Sequence, residues 1–367
     1  MKKIFLLVMA IFAINTFSQA QDFKFFGFSQ HWINFYQDAN IPAGSTGIAE
    51  NTWGFVNNRA RLAFKNDMND MFGITAILEF AKADKVNLDF FANVRLDPLA
   101  TFKLGQFQPH TQSWESTISP ADLKFYEYAD VSLKTSAYCG FDALRDVGLQ
   151  FFGKNNWMSY ALFIGNGQGR FNFAGADKYI KNRKLGQALY GARLDFYPDK
   201  GLRIGGNINI SKQDSVNLND KYYNIDKTIY SAGFEINGWL WEPLIAELEY
   251  AAGKVNDKDF AHTTANTGKT FDLYGMYTTL GVKILKELHV LARYENYNED
   301  YNDGLYYKTA KIYSGLSWYF FKENKEVAKL ALNYCLSNLK YDGNTGGVYT
   351  TFDKNYNSVV LLLQLRY

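Results

Sequence analysis

Residues 357–367 read Asn-Ser-Val-Val-Leu-Leu-Leu-Gln-Leu-Arg-Tyr, and few folds accommodate such an ending. Counting back in twos from Tyr367 passes Leu365, Leu363, Leu361 and Val359. Arg366, Gln364 and Ser358 fall in the opposite phase, with Leu362 and Val360 among them. A β-strand turns successive side chains to opposite faces, so this segment carries one apolar face and one mixed face.

A strand closed by a terminal aromatic resembles the C-terminal signal of bacterial outer-membrane barrels. On that reading Val359, Leu361, Leu363, Leu365 and Tyr367 face lipid or a neighbouring protomer, and Gln364 and Arg366 face a lumen. The other end agrees. Lys2 and Lys3 precede an apolar run from Ile4 to Ile14, and Ser18-Gln-Ala20 follows as a small-x-small site. This pattern predicts a signal peptide over residues 1–20 and one mature domain over 21–367. The run of about 11 residues is too short for a spanning helix, which needs about 20.

Aromatic usage excludes a helical bundle. There are 30 Phe, 26 Tyr and 7 Trp, the residues that suit a pleated, half-buried surface. Mean hydropathy is −0.27, which fits a barrel with lipid on one side and water on the other. Of the 39 basic residues, Lys2 and Lys3 belong to the leader, and the remaining 37 match the 37 acidic ones. That balance gives no reason to expect a nucleic-acid partner. Cys139 and Cys335 are far apart and form no disulfide framework.

Period-two alternation recurs along the chain. Val56, Ala60, Leu62 and Phe64 oppose Arg59, Arg61 and Lys65. Val86, Leu88, Phe90, Val94 and Leu96 oppose Asn87, Asp89, Asn93 and Arg95. Similar segments follow near 188–196, 202–210, 230–237, 244–250, 311–320 and 329–336. Connectors alternate between short, as at 97–100 and 197–201, and long, at 37–53, 108–144, 165–184, 213–226, 254–270, 298–308 and 341–353. Short inner turns and long outer loops are the asymmetry of bacterial outer-membrane barrels. The expected fold is all-β, an antiparallel transmembrane barrel of sixteen strands, at about 22 residues per strand and connector. The segment 108–144, about 37 residues, is too long for a plain connector. It carries Trp114, Phe125, Tyr126, Tyr128 and Phe141, which suit packing against an inner wall. It is expected to fold inward as the third outer loop and to meet a wall containing Arg59 or Arg61.

Several segments together resemble the phosphate-selective porin O and P family over the whole mature chain. They are Phe-Lys-Phe-Phe-Gly-Phe-Ser-Gln at 23–30, Asn-Asn-Arg-Ala-Arg-Leu-Ala-Phe at 57–64 and Phe-Lys-Leu-Gly-Gln-Phe-Gln-Pro at 102–109. Arg-Asp-Val-Gly-Leu-Gln at 145–150, Tyr-Gly-Ala-Arg-Leu-Asp-Phe-Tyr-Pro at 190–198 and Gly-Leu-Arg-Ile-Gly at 201–205 complete the series. The resemblance implies a sixteen-stranded barrel, usually a homotrimer, with loop three in the lumen. The family's long arginine ladder is not evident here. The inward phase of the strands holds Arg59, Arg61, Arg95, Arg193, Arg203, Arg293 and Lys311 as candidates for an anion path. It also holds Glu79, Asp89, Asp195, Glu235, Glu247, Glu249 and Glu295. So mixed a lining predicts a mild anion preference without strong phosphate selection.

No catalytic motif is present: there is no H-E-x-x-H, no G-x-S-x-G and no P-loop. His31, His110, His262 and His289 share no ligand spacing. Asp300-Tyr-Asn-Asp-Gly304 departs from a calcium loop, its glycine one residue early, and Gly165-Asn-Gly-Gln-Gly169 reads as a turn. The expectation is therefore a non-enzymatic porin without metal or cofactor, passing small hydrophilic solutes or anions through a channel in the outer-membrane lipid. A structural or anchoring barrel in a larger surface assembly is the alternative, set apart by a lumen closed to solutes.

Overall fold

The computed structural model describes residues 23–37, 52–82, 86–167, 169, 188–218, 221–257, 269–301, 304–323, 325–345 and 348–367. The signal-peptide segment, most of the 37–53 and 165–184 loops, and His262 lie outside these residues.

Sixteen antiparallel strands close into one barrel. The first eight are β1 (Phe23–Gln37), β2 (Thr52–Asp67), β3 (Phe72–Glu79), β4 (Asn87–Asp97), β5 (Ala100–Phe107), β6 (Asp146–Lys154), β7 (Met158–Gly165) and β8 (Leu189–Asp199). The rest are β9 (Leu202–Leu218), β10 (Lys221–Asn237), β11 (Leu244–Asp257), β12 (Lys269–Lys283), β13 (Leu288–Tyr301), β14 (Tyr306–Lys322), β15 (Lys325–Thr345) and β16 (Val348–Arg366). Each strand pairs with its sequence neighbours, and β1 pairs with β16. Among the described residues no helix is long and apolar enough to cross a membrane. Two helices, α1 (Trp114–Thr117) and α2 (Asp130–Cys139), lie in the segment between β5 and β6.

The seam explains the ending of the chain. Phe28 sits opposite Arg366, and Gln30 opposite Gln364. Gly27 and Tyr367 exchange backbone hydrogen bonds of 2.9 and 3.2 Å. A Cβ on Gly27 would lie 2.7 Å from the Tyr367 ring, so the glycine makes room for the terminal aromatic. The Tyr367 hydroxyl donates to the Arg61 carbonyl at 2.7 Å. On β16, Val360, Leu362 and Gln364 are at most 1% exposed, whereas Leu363, Leu365 and Tyr367 are 41–63% exposed. The alternate set turns outward, in the register expected from the sequence.

Outward aromatics cluster near both ends of the wall. Phe35 stacks on Trp53 at one end, and Phe25 packs edge-on against Phe64 at the other. Trp157 and Phe196 stack in the same way, as do Trp318 and Phe320. Paired aromatic belts around an apolar band characterise outer-membrane barrels.

Two bulges correct the simple alternation. Gln30 pairs with Arg59 but His31 with Asn57, leaving Asn58 unpaired. Past that point Val56 opposes Trp32, whose side chain is turned inward, while Phe55 and Trp53 point out at 75% and 65% exposure. Val56 therefore does not share a face with Ala60 and Leu62. Likewise Ile77 pairs with Asp89 and Leu78 with Asn87, so Leu88 is extruded and buried rather than turned to the outside, and Asn87 joins the outward phase. One extra residue on one strand flips every side chain beyond it. The Gln106 amide closes the second bulge by donating to the Asn87 and Leu88 carbonyls.

The long connectors also need correction. The expected loops at 213–226, 298–308 and 341–353 are mostly strand: β9 and β10 run to 218 and from 221, β13 and β14 to 301 and from 306, and β15 and β16 to 345 and from 348, whereas most of 254–270 lies outside the described residues. Strands of 14–21 residues in β9–β16 exceed the roughly 9–11 needed to cross a bilayer, so these hairpins continue beyond the apolar band. Across the barrel, β3, β5 and β7 have only 8 residues each. The bulge at Asn58 sets a labelling pattern. Val56→Cys should react with a membrane-impermeant maleimide, and Phe55→Cys with a lipid-phase reagent. The reverse pattern would show that the strand runs without the bulge.

Candidate pore and its inward loop

Between β5 and β6 the chain leaves the wall and enters the barrel. α2 packs against β9 to β13, the side opposite the junction it came from. The helix buries Ser132, Thr135 and Ser136 along with Val131 and Cys139, and the latter two pack with Ile229, Ala251, Val255 and Leu273 of the wall. Its C-terminal Gly140 takes φ 99°, the left-handed cap that ends a helix without a Cβ penalty.

Charge pairs fix the loop to the far wall. Glu115 on α1 meets Arg293 of β13, both side chains at most 2% exposed. Lys124 reaches Glu235 at 3.1 Å and Glu247 at 3.0 Å. Asp130 takes Lys311 at 2.7 Å and accepts from Thr309 at 3.1 Å. The Tyr138 hydroxyl donates to Glu299 at 2.9 Å. Trp114 donates its backbone N–H to Glu249 at 2.6 Å, and its ring lies 3.5 Å from the Arg203 guanidinium. Arg193 and Arg203 share Asp195, and Arg193 also donates to the Gln112 carbonyl at 2.7 Å.

The stretch between α1 and α2 meets the near wall largely through its main-chain carbonyls. Gln30 donates to Pro120, Gln364 to Ala121 and Lys329 to Leu123, at 2.9–3.0 Å. Arg366 pairs with Asp122 at 2.7 Å. The inward fold and the approach to the Arg59 side agree with the sequence expectation, and the seat of the helices on the far wall adds to it. The helices seat on β9–β13, and the Arg59 side of the barrel meets the loop through Gln30, which accepts from Arg59 at 2.7 Å.

The residues singled out from the sequence thus separate into groups. Arg193, Arg203, Arg293 and Lys311 are bound beneath the loop with Asp195, Glu235, Glu247, Glu249 and Glu295. Glu295 lies 3.6 Å from Lys311 and 3.9 Å from Arg293. Arg95 pairs with Asp67 at the rim near the 68–71 turn. Arg61 with Glu79, and Asp89 with Arg145, remain beside open space.

That space is a cavity of about 520 Å³ between the loop and the wall of β1–β5 and β16. Its cations are Arg61, Lys103, Arg145 and Arg366, and its carboxylates are Asp89 and Asp122. Phe28, Phe91 and Phe107 supply apolar surface. His110 also lines it. Burial, with Lys103 and Arg193 nearby, holds its imidazole pKa well below the usual range, so it is neutral at pH 7. The sequence-based set omitted Lys103 and Arg145. Lys103 shares the inward phase of β5 with Thr101, and the alternation of these two with Phe102 and Leu104 was the available signal. Arg145 sits at the loop junction, where no alternation applies. Cys139 and Cys335 are both free and buried, and among the described residues no group of three or more His, Cys, Asp or Glu could hold a metal ion.

No protein-family model matches the chain, and no curated protein matches it. Solved structures do. The anion-selective porin from Comamonas acidovorans matches at TM-score 0.63 and 11% identity, over 95% of this chain and 100% of that one. The outer membrane channel DcaP of Acinetobacter baumannii gives 0.63 and 13%, over 95% and 98%. OmpT, an outer membrane protein of Vibrio cholerae, in its trimer form gives 0.62 and 14%, over 95% and 100%. At such identities the likeness is one of fold, and it extends over nearly the whole chain.

The Glu115–Arg293 pair offers a direct test of the anchorage. Breaking a buried ion pair from one side costs about 3–5 kcal/mol, because the remaining charge stays out of water. Glu115→Ala should lower the unfolding temperature and expose Lys124 and Lys134 to trypsin. Unchanged melting and unchanged cleavage would mean that the pair does not hold the loop.

Proposed function

We propose that the chain is a bacterial outer-membrane porin, a passive diffusion channel for small hydrophilic solutes. The observation that carries this reading is the cavity beside the inward loop, with a net excess of cations on its lining. Nothing there has to react. Fixed charges on facing walls bias ion passage, and the loop limits the diameter. The outward apolar band with its aromatic belts supports contact with outer-membrane lipid. The leader-like residues 1–20 support export. A homotrimer is part of the proposal, and the Vibrio cholerae neighbour described in trimer form is consistent with it.

Anion preference is proposed as mild. Arg61, Arg145 and Arg366 each face a carboxylate, so most of the positive potential is neutralised locally. The Comamonas acidovorans neighbour is named an anion-selective porin, in keeping with a preference of this sign. The finer kinship with phosphate-selective porins remains a proposal about the plan of the barrel. Phosphate is not expected to be favoured strongly over chloride.

Planar-bilayer recording tests the reading. Purified, folded protein should form channels whose reversal potential in a salt gradient indicates weak anion preference. Arg61→Glu and Arg366→Glu should move it toward cations. That shift should shrink at high salt, as the Debye length falls from about 10 Å at 0.1 M to about 3 Å at 1 M. Removing residues 119–128 should raise the conductance. A folded barrel that conducts no ions would sink the porin reading and favour an anchoring role.

A further inference from the structure

The cavity holds a cation with no direct ion pair among the described residues; Asp89, the carboxylate whose field reaches it, is paired with Arg145. Arg61, Arg145 and Arg366 are paired with Glu79, Asp89 and Asp122. Lys103 lines the same space, yet among the described residues no carboxylate oxygen lies within 4.0 Å of its ammonium. Instead the Nζ sits over three rings, 4.7 Å from Phe91, 5.1 Å from Phe107 and 5.3 Å from Phe152. Ring faces attract a cation, but they accept none of its three N–H donors well. His110, on the same lining, is neutral at pH 7.

The surroundings limit what could supply the missing acceptor. Phe91 and Phe107, two of the rings under this ammonium, line the cavity, and Phe28, Ala63 and Ile77 add further apolar surface to the same lining. A hydrated inorganic ion would lose water there and gain a single charge partner. Phosphate would place a second charge among arginines whose carboxylates already occupy them. An anion with one charged end and an apolar body satisfies both features, since the oxyanion meets Lys103 and the body covers the rings.

We infer that Lys103 and the neighbouring aromatic wall form a retention site for small organic monocarboxylates with an apolar or aromatic body. The inference rests on the pore reading for how the solute arrives, and on the geometry of β4, β5 and β6 for how it is held. Lys103 is then a specificity-determining residue, and retention favours such solutes over inorganic anions of equal charge.

Benzoate is the probe, with phosphate as comparator, on the full folded chain. In bilayers, benzoate should interrupt the chloride current at lower concentration than phosphate does. Lys103→Gln should raise the half-blocking concentration about tenfold, the scale of one lost charge-assisted contact. Lys103→Arg should restore most of it. Saturation-transfer NMR on detergent-folded protein measures benzoate binding without needing conduction, and the wild-type comparison of benzoate with phosphate stands even if Lys103→Gln does not fold. Equal block by the two anions, or equal benzoate affinity in wild type and Lys103→Gln, would overturn the inference. Channels indifferent to benzoate would remove the site and leave the pore. Benzoate binding that Lys103→Gln abolishes, in a barrel that forms no channels, would keep the site and remove the pore.

Discussion

The seam between β1 and β16 is the constraint on which the rest of this structure depends. An open sheet of sixteen strands would leave two rows of backbone N–H and C=O groups without partners, which the hydrocarbon region of a membrane does not tolerate. Pairing Phe28 with Arg366 through to Gln37 with Asn357 removes both edges. Closure also defines an inside. Only then do the alternate residues of every strand converge on one volume, where Arg193, Glu247, Arg293 and Glu295 meet the loop.

Within that volume the organising interactions are charged rather than apolar. The loop carries Glu115, Lys124 and Asp130 to Arg293, Glu235 with Glu247, and Lys311. Desolvating such groups is costly, and their attraction offsets the cost only where geometry and extra hydrogen bonds are good. The benefit is orientation. Glu115, Lys124 and Asp130 meet opposite charges on β10, β11, β13 and β14, and α2 lies against β9–β13 rather than against the nearer strands. What it leaves uncovered, beside Arg61, Lys103 and Arg145, is the cavity on which the functional proposals rest. Buried clusters around Trp32, Tyr126 and Tyr313, and around Phe107, Phe141 and Phe163, also pack loop side chains against the wall.

Much of the wall was legible in the sequence because a barrel strand states its faces locally. The terminal strand is the clearest case: Leu361 to Tyr367 needs no distant information to declare its outward phase. The bulges at Asn58 and Leu88 were not legible, since an extra residue leaves no mark in the composition of its own strand. Their effect was to misplace Val56, Leu88 and Asn87. Nor was it legible that 213–226 and 341–353 continue as paired strands, because polar residues in a hairpin above the apolar band look like a loop.

The sequence by itself determined the strand period, the outward apolar band, the even strand count and the presence of one long inserted segment. These follow from alternation and spacing, which each stretch of chain carries alone. Only the tertiary structure decided which inward charges are spent on the loop and which border open space. Arg193, Arg203 and Arg293 look the same as Arg61 in sequence, each an arginine in the polar phase of a strand. They differ because ion pairing depends on which strands the loop reaches once the barrel has closed, and that is a relation between residues far apart in the chain.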